Sequence, residues 1–170
     1  MDGILRKKIM TKIVTKTGNL LAVQSGHIVH GCNALGVMGS GVALAVKNTY
    51  PGAFESYLMQ HTVSGLTLGV AYPYIVNDYL IIWNAITQYS FGVGVRQVSY
   101  DAVETCFIQI NQNLNDRLEF DAGLTPPEVH IPLLGAGRGG GNWEIIREII
   151  EQTMDFPVTL WLPDDTVTTK

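Results

Sequence analysis

The sequence is poor in charge and has no long apolar run, and each shortage excludes a class of protein. Charged residues make up 15% of the 170 residues and hydrophobic ones 46%, which excludes a disordered chain and favours a compact core. The net charge is −4 and the one basic cluster is Arg6-Lys7-Lys8, so a basic face for nucleic acid is not expected. No apolar run approaches the roughly 20 residues of a membrane helix, and the first residues lack the apolar region of a signal peptide. We therefore expect neither a nucleic acid nor a membrane as partner.

Cysteine is also scarce. Cys32 and Cys106 form neither a CxxC motif nor a Cys/His metal spacing, and no cluster of His, Asp and Glu has the spacing of a metal site. We interpret the two as reduced thiols of a cytoplasmic protein, with a disulfide as the lesser alternative. We expect no metal and no cofactor, and the length fits one domain over residues 1–170.

The order of apolar and polar residues predicts an α/β domain with a mixed sheet. Predicted strands fall in residues 4–16, 28–29, 68–76, 79–86, 129–134 and 158–162. Predicted helices include residues 42–46 and 52–61, one capped by Ser99 and one capped by Asn142. The polar tail 165–170 is expected to fray.

Two glycine-rich loops, Gly36–Gly41 and Gly135–Gly141, each leave a predicted strand and enter a predicted helix. In that arrangement backbone N–H groups and the positive end of a helix dipole point at an anion. Asn33 and Ser40 add side-chain donors at the first loop. Two such loops suit an extended diphosphate, although glycines can also merely make tight turns. Neither loop is a Walker motif, which argues against hydrolysis of a nucleoside triphosphate. Neither loop matches the Rossmann fingerprint either.

Four side chains near these loops are candidates for chemistry. His30 is a candidate general base, because the ordinary pKa of a histidine side chain suits proton transfer at neutral pH. Arg138 can clamp a phosphate with two hydrogen bonds. Asn84 and Gln88 can orient a water molecule or a ribose. The alternatives stay open: His30 and Asn84 can satisfy neighbouring backbone groups, and Arg138 can face solvent. Residues 89–97 are loop-like and aromatic, a candidate lid.

Four separated blocks resemble those of a macrodomain, the ADP-ribose-binding module. They are Gly18-Asn19-Leu20, IVHGCNALGVMGSGVA from Ile28, NAITQ from Asn84 and PLLGAGRGGGNW from Pro132. The resemblance extends from about Gly18 to Asp164 and implies a three-layer α/β/α fold that binds ADP-ribose or a phosphorylated derivative. Within the family the chain is most similar to the branch of ADP-ribose 1″-phosphate phosphatases of yeast and phage type. That branch also holds hydrolases that release ADP-ribose from glutamate.

The resemblance also implies a set of ligand contacts. Asn19 and Leu20 would contact adenine, with Asp164 at the edge of the adenine slot, and Asn33 would hold the distal ribose. The first loop would contribute Gly39, Ser40, Gly41 and Val42, and the second Gly135, Ala136, Gly137, Arg138, Gly139 and Gly140. Asn19 stands where the family usually has an aspartate, so its hydrogen bond to adenine would lack charge assistance.

The chain departs from the glutamate hydrolases at two positions. Their lysine and aspartate correspond to Gln88 and Gly139 here, so neither an amine nucleophile nor a carboxylate base is present at those positions. The leading prediction is therefore dephosphorylation of ADP-ribose 1″-phosphate, with His30, Asn84 and Gln88 as catalytic residues. The alternatives are a non-catalytic ADP-ribose-binding or sequestering module and an ADP-ribosyl hydrolase.

Overall fold

The computed structural model describes residues 10–121, 123 and 125–164. The basic cluster Arg6-Lys7-Lys8, residues 4–9 of the first predicted strand and the polar tail 165–170 lie outside the described residues.

The described chain forms six strands and four α-helices, close to the predicted order. The strands are β1 Ile13–Thr17, β2 Gly26–Asn33, β3 Ala71–Ile75, β4 Leu80–Gln88, β5 Val129–Ile131 and β6 Val158–Leu162. The helices are α1 Gly41–Thr49, α2 Pro51–Val63, α3 Tyr100–Phe120 and α4 Trp143–Thr153, and a 3-10 turn covers Leu20–Ala22. The predicted caps are confirmed, since the Ser99 side chain accepts from Ala102 N and that of Asn142 from Glu144 N.

All six strands belong to one sheet with the order β1-β6-β5-β2-β4-β3. Every neighbouring pair is parallel except β3 and β4, so the sheet is mixed, as predicted. β3 forms one border of the sheet and carries Pro73, which lies opposite Trp83 of β4. Four of the five parallel strands, β6, β5, β2 and β4, are consecutive neighbours, so their carboxyl ends, where ligands bind in such folds, share one edge.

Alternation along β4 shows how the sheet is covered. Ile81 and Trp83 belong to a core cluster that contains the buried side chains of α3 and α4. Leu80 and Ile82 belong to another cluster, with Val46 of α1 and Ala53 of α2. Because successive side chains of a strand point to opposite faces, the helices lie in two layers around the sheet. The fold is the expected three-layer α/β/α arrangement. None of the helices in the described part of the chain is long and apolar enough to cross a membrane.

Candidate functional site

A cleft of about 900 Å³ lies along the carboxyl ends of β6, β5, β2 and β4. Trp161 lines it beside the end of β6, and Gln88 lines it at the end of β4. Between them come loop B (residues 132–142, after β5) and loop A (residues 34–40, after β2). Parallel strands are about 4.8 Å apart, so the three spacings from β6 to β4 extend over roughly 14 Å. The cleft is therefore elongated, with a glycine-rich middle between two ends lined by side chains.

The two glycine-rich loops meet across this cleft. Gly41, the first residue of α1, has a φ of +59°, a conformation that favours glycine. A Cβ atom at Gly41 would lie 3.4 Å from Cδ of Arg138 in loop B. The sequence prediction that both loops face one space is therefore confirmed.

The N-terminus of α1 opens into the middle of the cleft, which Ser40, Gly41, Val42 and Ala43 all line. Ser40 is the N-cap residue by position, yet its side chain makes no capping hydrogen bond with the described residues. The first turn of α1 contains no acidic residue. The first N–H groups of a helix have no partner within the helix, so they are available to an anion at this place.

Loop B is held in shape by the last residue of the candidate lid and the residue after it. The Gly139 carbonyl accepts hydrogen bonds from Gln97 N at 2.8 Å and Val98 N at 3.1 Å, and Gly141 N donates to Gly135 O at 2.8 Å. A Cβ atom at Gly139 would lie 2.7 Å from Gly135 O, so a larger residue would push the loop apart. Loop B is thus closely packed, and its glycines allow segments of its backbone to approach each other without a steric clash.

Most of the loop residues predicted to bind a ligand line the cleft, and two do not. Gly39, Ser40, Gly41, Val42, Gly135, Gly137, Arg138 and Gly139 line it. Ala136 instead packs against the core between the sheet and helices α3 and α4. Gly140 faces the lid segment (residues 89–97), since a Cβ atom there would lie 3.2 Å from Arg96 Cα.

At the β6 end the cleft is lined by Asn19, Leu20, Asp164 and Trp161. The Asn19 carbonyl oxygen already accepts a hydrogen bond from Leu21 N at 3.0 Å, which leaves one of its two lone pairs. The sequence analysis missed Trp161, whose indole N–H donates to His130 Nδ1 at 3.1 Å. A signal was present, because Trp161 is a large aromatic residue three positions before Asp164, which was predicted at the edge of the adenine slot.

At the β4 end the cleft is lined by Asn33, Gln88 and Phe91. The Asn33 side chain mainly supports loop A: its Nδ2 donates to Val37 O at 2.7 Å, and its Oδ1 accepts from Leu35 N at 3.0 Å. Nδ2 keeps one further N–H for a ligand. Gln88 Nε2 donates to Ser90 O at 2.7 Å, which orients its amide at the base of the lid segment.

His30 and Asn84, two of the predicted catalytic residues, do not line the cleft. Both are buried, at 0% and 1% exposure, and His30 Nε2 lies 2.6 Å from Asn84 Oδ1. Asn84 Nδ2 donates to Ala53 O of α2 at 3.1 Å, so Asn84 Oδ1 is the acceptor and His30 the donor. Burial lowers the pKa of His30 to about 4, and the ring is neutral at neutral pH. The pair ties β2 and β4 to α2, because His30 belongs to β2, Asn84 to β4 and Ala53 to α2.

Cys32 lines the cleft beside this pair, with its Sγ 3.6 Å from His30 Nε2. Burial raises the pKa of the thiol well above its usual range, so Cys32 is a protonated thiol and a poor nucleophile. Both cysteines are free and buried, as predicted for reduced thiols. No group of three or more His, Cys, Asp or Glu suited to a metal ion occurs within the described ranges.

Sequence comparison relates the chain to proteins of phage, bacteria and fungi, although no family model matches it. An uncharacterised 17.5 kDa protein from the tk-vs intergenic region of Enterobacteria phage T4 is 27% identical over 86% of this chain and 94% of its own length. A DNA ADP-ribosyl glycohydrolase of Thermus aquaticus is 25% identical over 81% of this chain, which spans 36% of that protein. An ADP-ribose 1″-phosphate phosphatase of Chaetomium globosum is 40% identical over 47 residues, covering 27% of this chain and 25% of that protein.

Solved structures with the same fold include several macrodomains. A protein of unknown function from Bacteroides thetaiotaomicron is 27% identical with a TM-score of 0.77, covering 89% of this chain and 98% of that one. A macrodomain protein from Streptomyces coelicolor is 26% identical with a TM-score of 0.68, covering 89% and 99%. Thermosipho africanus DarTG in complex with ADP-ribose is 18% identical with a TM-score of 0.71, covering 92% and 43%. This chain therefore has the fold of these macrodomains.

Proposed function

We propose that the cleft binds ADP-ribose or a close derivative, with the diphosphate between loop A and loop B. The observation that carries this proposal is that two glycine-rich loops and the N-terminus of α1 open into one elongated cleft. Backbone N–H groups at a helix N-terminus provide the donors that phosphate oxygens need, and Arg138 adds a cation. The complex of the Thermosipho africanus neighbour with ADP-ribose supports the same ligand class.

The two ends of the cleft suit the two nucleoside-like ends of this ligand. At the β6 end, Trp161 offers an aromatic surface and Asn19 a carbonyl oxygen, which suit an adenine with its exocyclic amine. At the β4 end, Asn33 and Gln88 offer amide groups, which suit the hydroxyl groups of the distal ribose. Phe91 covers the same end from the lid segment. The roughly 14 Å between the ends is the interval that the diphosphate bridges.

The catalytic form of this proposal is hydrolysis of ADP-ribose 1″-phosphate to ADP-ribose and phosphate. Water would attack phosphorus, forming a P–O bond as the bond to the 1″ oxygen breaks, and that oxygen would leave with a proton. Gln88 would orient the water, since its Nε2 is fixed on Ser90 and its Oε1 has no hydrogen bond to the described protein. Arg138 and the loop amides would stabilise the phosphoryl charge. The 47-residue match to a fungal ADP-ribose 1″-phosphate phosphatase favours this activity.

The alternatives are release of ADP-ribose from a modified macromolecule and binding without turnover. The Thermus aquaticus relative favours release. Against it, no lysine lines the cleft in the described part of the chain, and Asp164, at the β6 end, is its one carboxylate there. A lysine nucleophile is therefore lacking at the β4 end, where the distal ribose would bind.

Calorimetry and a turnover assay on the same protein test these possibilities. We expect ADP-ribose to bind with 1:1 stoichiometry and ADP more weakly, because ADP lacks the distal ribose. Incubation with ADP-ribose 1″-phosphate is expected to release inorganic phosphate, and a Gln88→Ala variant is expected to bind but turn over slowly. Binding without phosphate release would support the binding proposal and contradict the proposed phosphatase activity. If neither ADP-ribose nor ADP gives a binding signal in calorimetry and no phosphate is released, both proposals are contradicted.

A further inference from the structure

Thr87 belongs to the NAITQ block but was not among the predicted site residues, and it has the features of a ligand-binding residue. It is the penultimate residue of β4, is 0% exposed and lines the cleft. Its carbonyl accepts a hydrogen bond from Ser99 N at 2.8 Å, whereas its hydroxyl has no hydrogen-bond partner among the described residues. A buried hydroxyl without a partner is rare in folded proteins and costs free energy, so its presence needs a reason.

The strand is irregular at this residue. Along β2 and β4 the register pairs Cys32 with Ile86 and then Asn33 with Gln88, so Thr87 is the extra residue of a β-bulge. Bulges re-aim side chains and are common beside active sites. A regular strand would have given Thr87 a paired neighbour on β2. The bulge removes that neighbour at the point where β4 reaches the cleft.

The residue beside the hydroxyl is a glycine. A Cβ atom at Gly31 would lie 2.8 Å from Thr87 Oγ1 and 3.7 Å from Leu134 Cγ. Gly31 and Leu134 also line the cleft. Any larger residue at position 31 would collide with the hydroxyl, so glycine preserves the space around it at the cleft floor.

We propose that the Thr87 hydroxyl donates a hydrogen bond to an oxygen of the bound ligand, a ribose hydroxyl or a phosphate oxygen. The buried hydroxyl without a partner, the bulge at β4 and the glycine beside it carry this inference. It rests on the proposal that the cleft binds ADP-ribose. The missing acceptor would then be supplied by the ligand, and the free energy spent in burying the hydroxyl would be recovered on binding.

The test compares Thr87→Val, which keeps the shape and removes the hydroxyl, with Thr87→Ser, which keeps the hydroxyl. Calorimetry with ADP-ribose is expected to show about tenfold weaker binding for Thr87→Val and near wild-type binding for Thr87→Ser. With ADP as second probe, a loss confined to ADP-ribose assigns the bond to the distal ribose. An equal loss with both ligands assigns it to the diphosphate.

Thermal unfolding of the ligand-free variants separates this role from a structural one. Thr87→Val is expected to melt at or above the wild-type temperature, because it removes a polar group that has no partner. Equal ADP-ribose affinity of wild type and Thr87→Val would overturn the inference while leaving the cleft's function intact. A lower melting temperature of ligand-free Thr87→Val would also overturn it, by revealing a structural partner. A wild-type protein that does not bind ADP-ribose would overturn this inference together with the proposed function.

Discussion

Two charged side chains, Arg138 and Asp164, line the cleft within the part of the chain that the structure describes. Arg138 is exposed and lies across from the first residue of α1. A guanidinium there is placed to meet a phosphate held by the helix N-terminus, and it can form two parallel hydrogen bonds. The affinity for a diphosphate ligand is therefore expected to depend on this one cation.

Replacing Arg138 by alanine is expected to weaken ADP-ribose binding by about tenfold, from the loss of a charge-assisted hydrogen bond of roughly 1–3 kcal/mol. The ADP-ribose affinity of Arg138→Lys is expected to lie between those of wild type and Arg138→Ala, because an ammonium group keeps the charge without the planar guanidinium fork. Calorimetry at low and high salt measures both effects. Arg147→Ala is the matched control, since Arg147 lies on α4 and pairs with Glu151 at 3.1 Å. An equal loss in the control would contradict a specific role for Arg138.

Asn84 is expected to matter for stability and not for binding. Asn84→Ala leaves the buried His30 N–H without its acceptor and removes the side-chain bond that ties β4 to Ala53 O of α2. The free energy of unfolding should fall by about 2–4 kcal/mol. Urea unfolding measures this loss, and calorimetry on the folded variant should give an unchanged ADP-ribose affinity. A variant of full stability that binds or reacts poorly would show instead that Asn84 acts in the site.

Cleft residues whose place is determined by the backbone could be predicted from the sequence, whereas residues whose place depends on side-chain direction could not. A glycine-rich loop between a strand and a helix has one place in an α/β fold, so Gly41 and Gly139 were predictable. His30 and Asn84 are polar residues near strand ends, and polarity does not say whether a side chain faces a cleft or a helix. Their mutual hydrogen bond satisfies both beneath α2, which only the packing of that helix reveals. Thr87 depends on a bulge, which no residue pattern in β4 indicates.

At the scale of elements, loop B depends on close packing at specific glycines. Gly139 is buried, and a Cβ atom there would lie 2.7 Å from Gly135 O, whereas a Cβ atom at Gly137 would have nothing within 4 Å. The two positions share one loop and one residue type, so they form a matched pair. Comparing them separates the effect of adding a methyl group from the effect of a steric clash between that methyl group and the loop backbone.

Gly139→Ala is expected to destabilise the protein by about 1–3 kcal/mol, because the added methyl group displaces the loop backbone. Gly137→Ala should change the free energy of unfolding by less than about 0.5 kcal/mol. Chemical denaturation of both variants against wild type measures the difference. Similar values for the two variants would mean that loop B relaxes around either methyl group and is not closely packed.

Helix starts were predicted more accurately than strand ends. Ser99 and Asn142 carry their own capping oxygens, so a local signal fixes where α3 and α4 begin. Strand limits depend on partners distant in sequence. Residues 68–70 precede β3 instead of belonging to it, and β5 ends at Ile131, three residues before the predicted limit. Pro132 directly follows β5 and Gly69 lies just before β3, but the apolar neighbours of both residues extend the apolar runs beyond the strands.

For the whole molecule, burial lowers the pKa of three histidines, His27, His30 and His130, and this makes stability depend on pH. Burial is the main cause that lowers the pKa of both His27 and His30 to about 4, from an ordinary 6.5. Between these values the unfolded chain takes up protons that the folded protein does not, so stability is fully present above pH 6.5 and is lost as the pH falls towards 4. From pH 7 to pH 5, His27 and His30 should each remove about 2 kcal/mol from the free energy of unfolding.

His30→Gln should flatten this dependence, because glutamine does not titrate while its amide can still donate to Asn84. Urea unfolding of wild type and variant at pH 7 and pH 5 gives the comparison, with the variant losing about 2 kcal/mol less than wild type over that interval. The variant's lower stability at pH 7 does not affect the comparison, which uses differences within each protein. Parallel losses in the two proteins would mean that His30 takes up its proton without unfolding.

Pro73, on the border strand β3, limits the pairing of this strand with a strand of another molecule. A strand at the border of a sheet presents backbone donors and acceptors to which a further strand can attach. Proline has no N–H, so a strand docking along β3 would lack one of the hydrogen bonds that hold a sheet together. The side of the sheet farthest from β1 is thereby a poor template for adding a strand from another chain, while the cleft lies at a different edge of the same sheet.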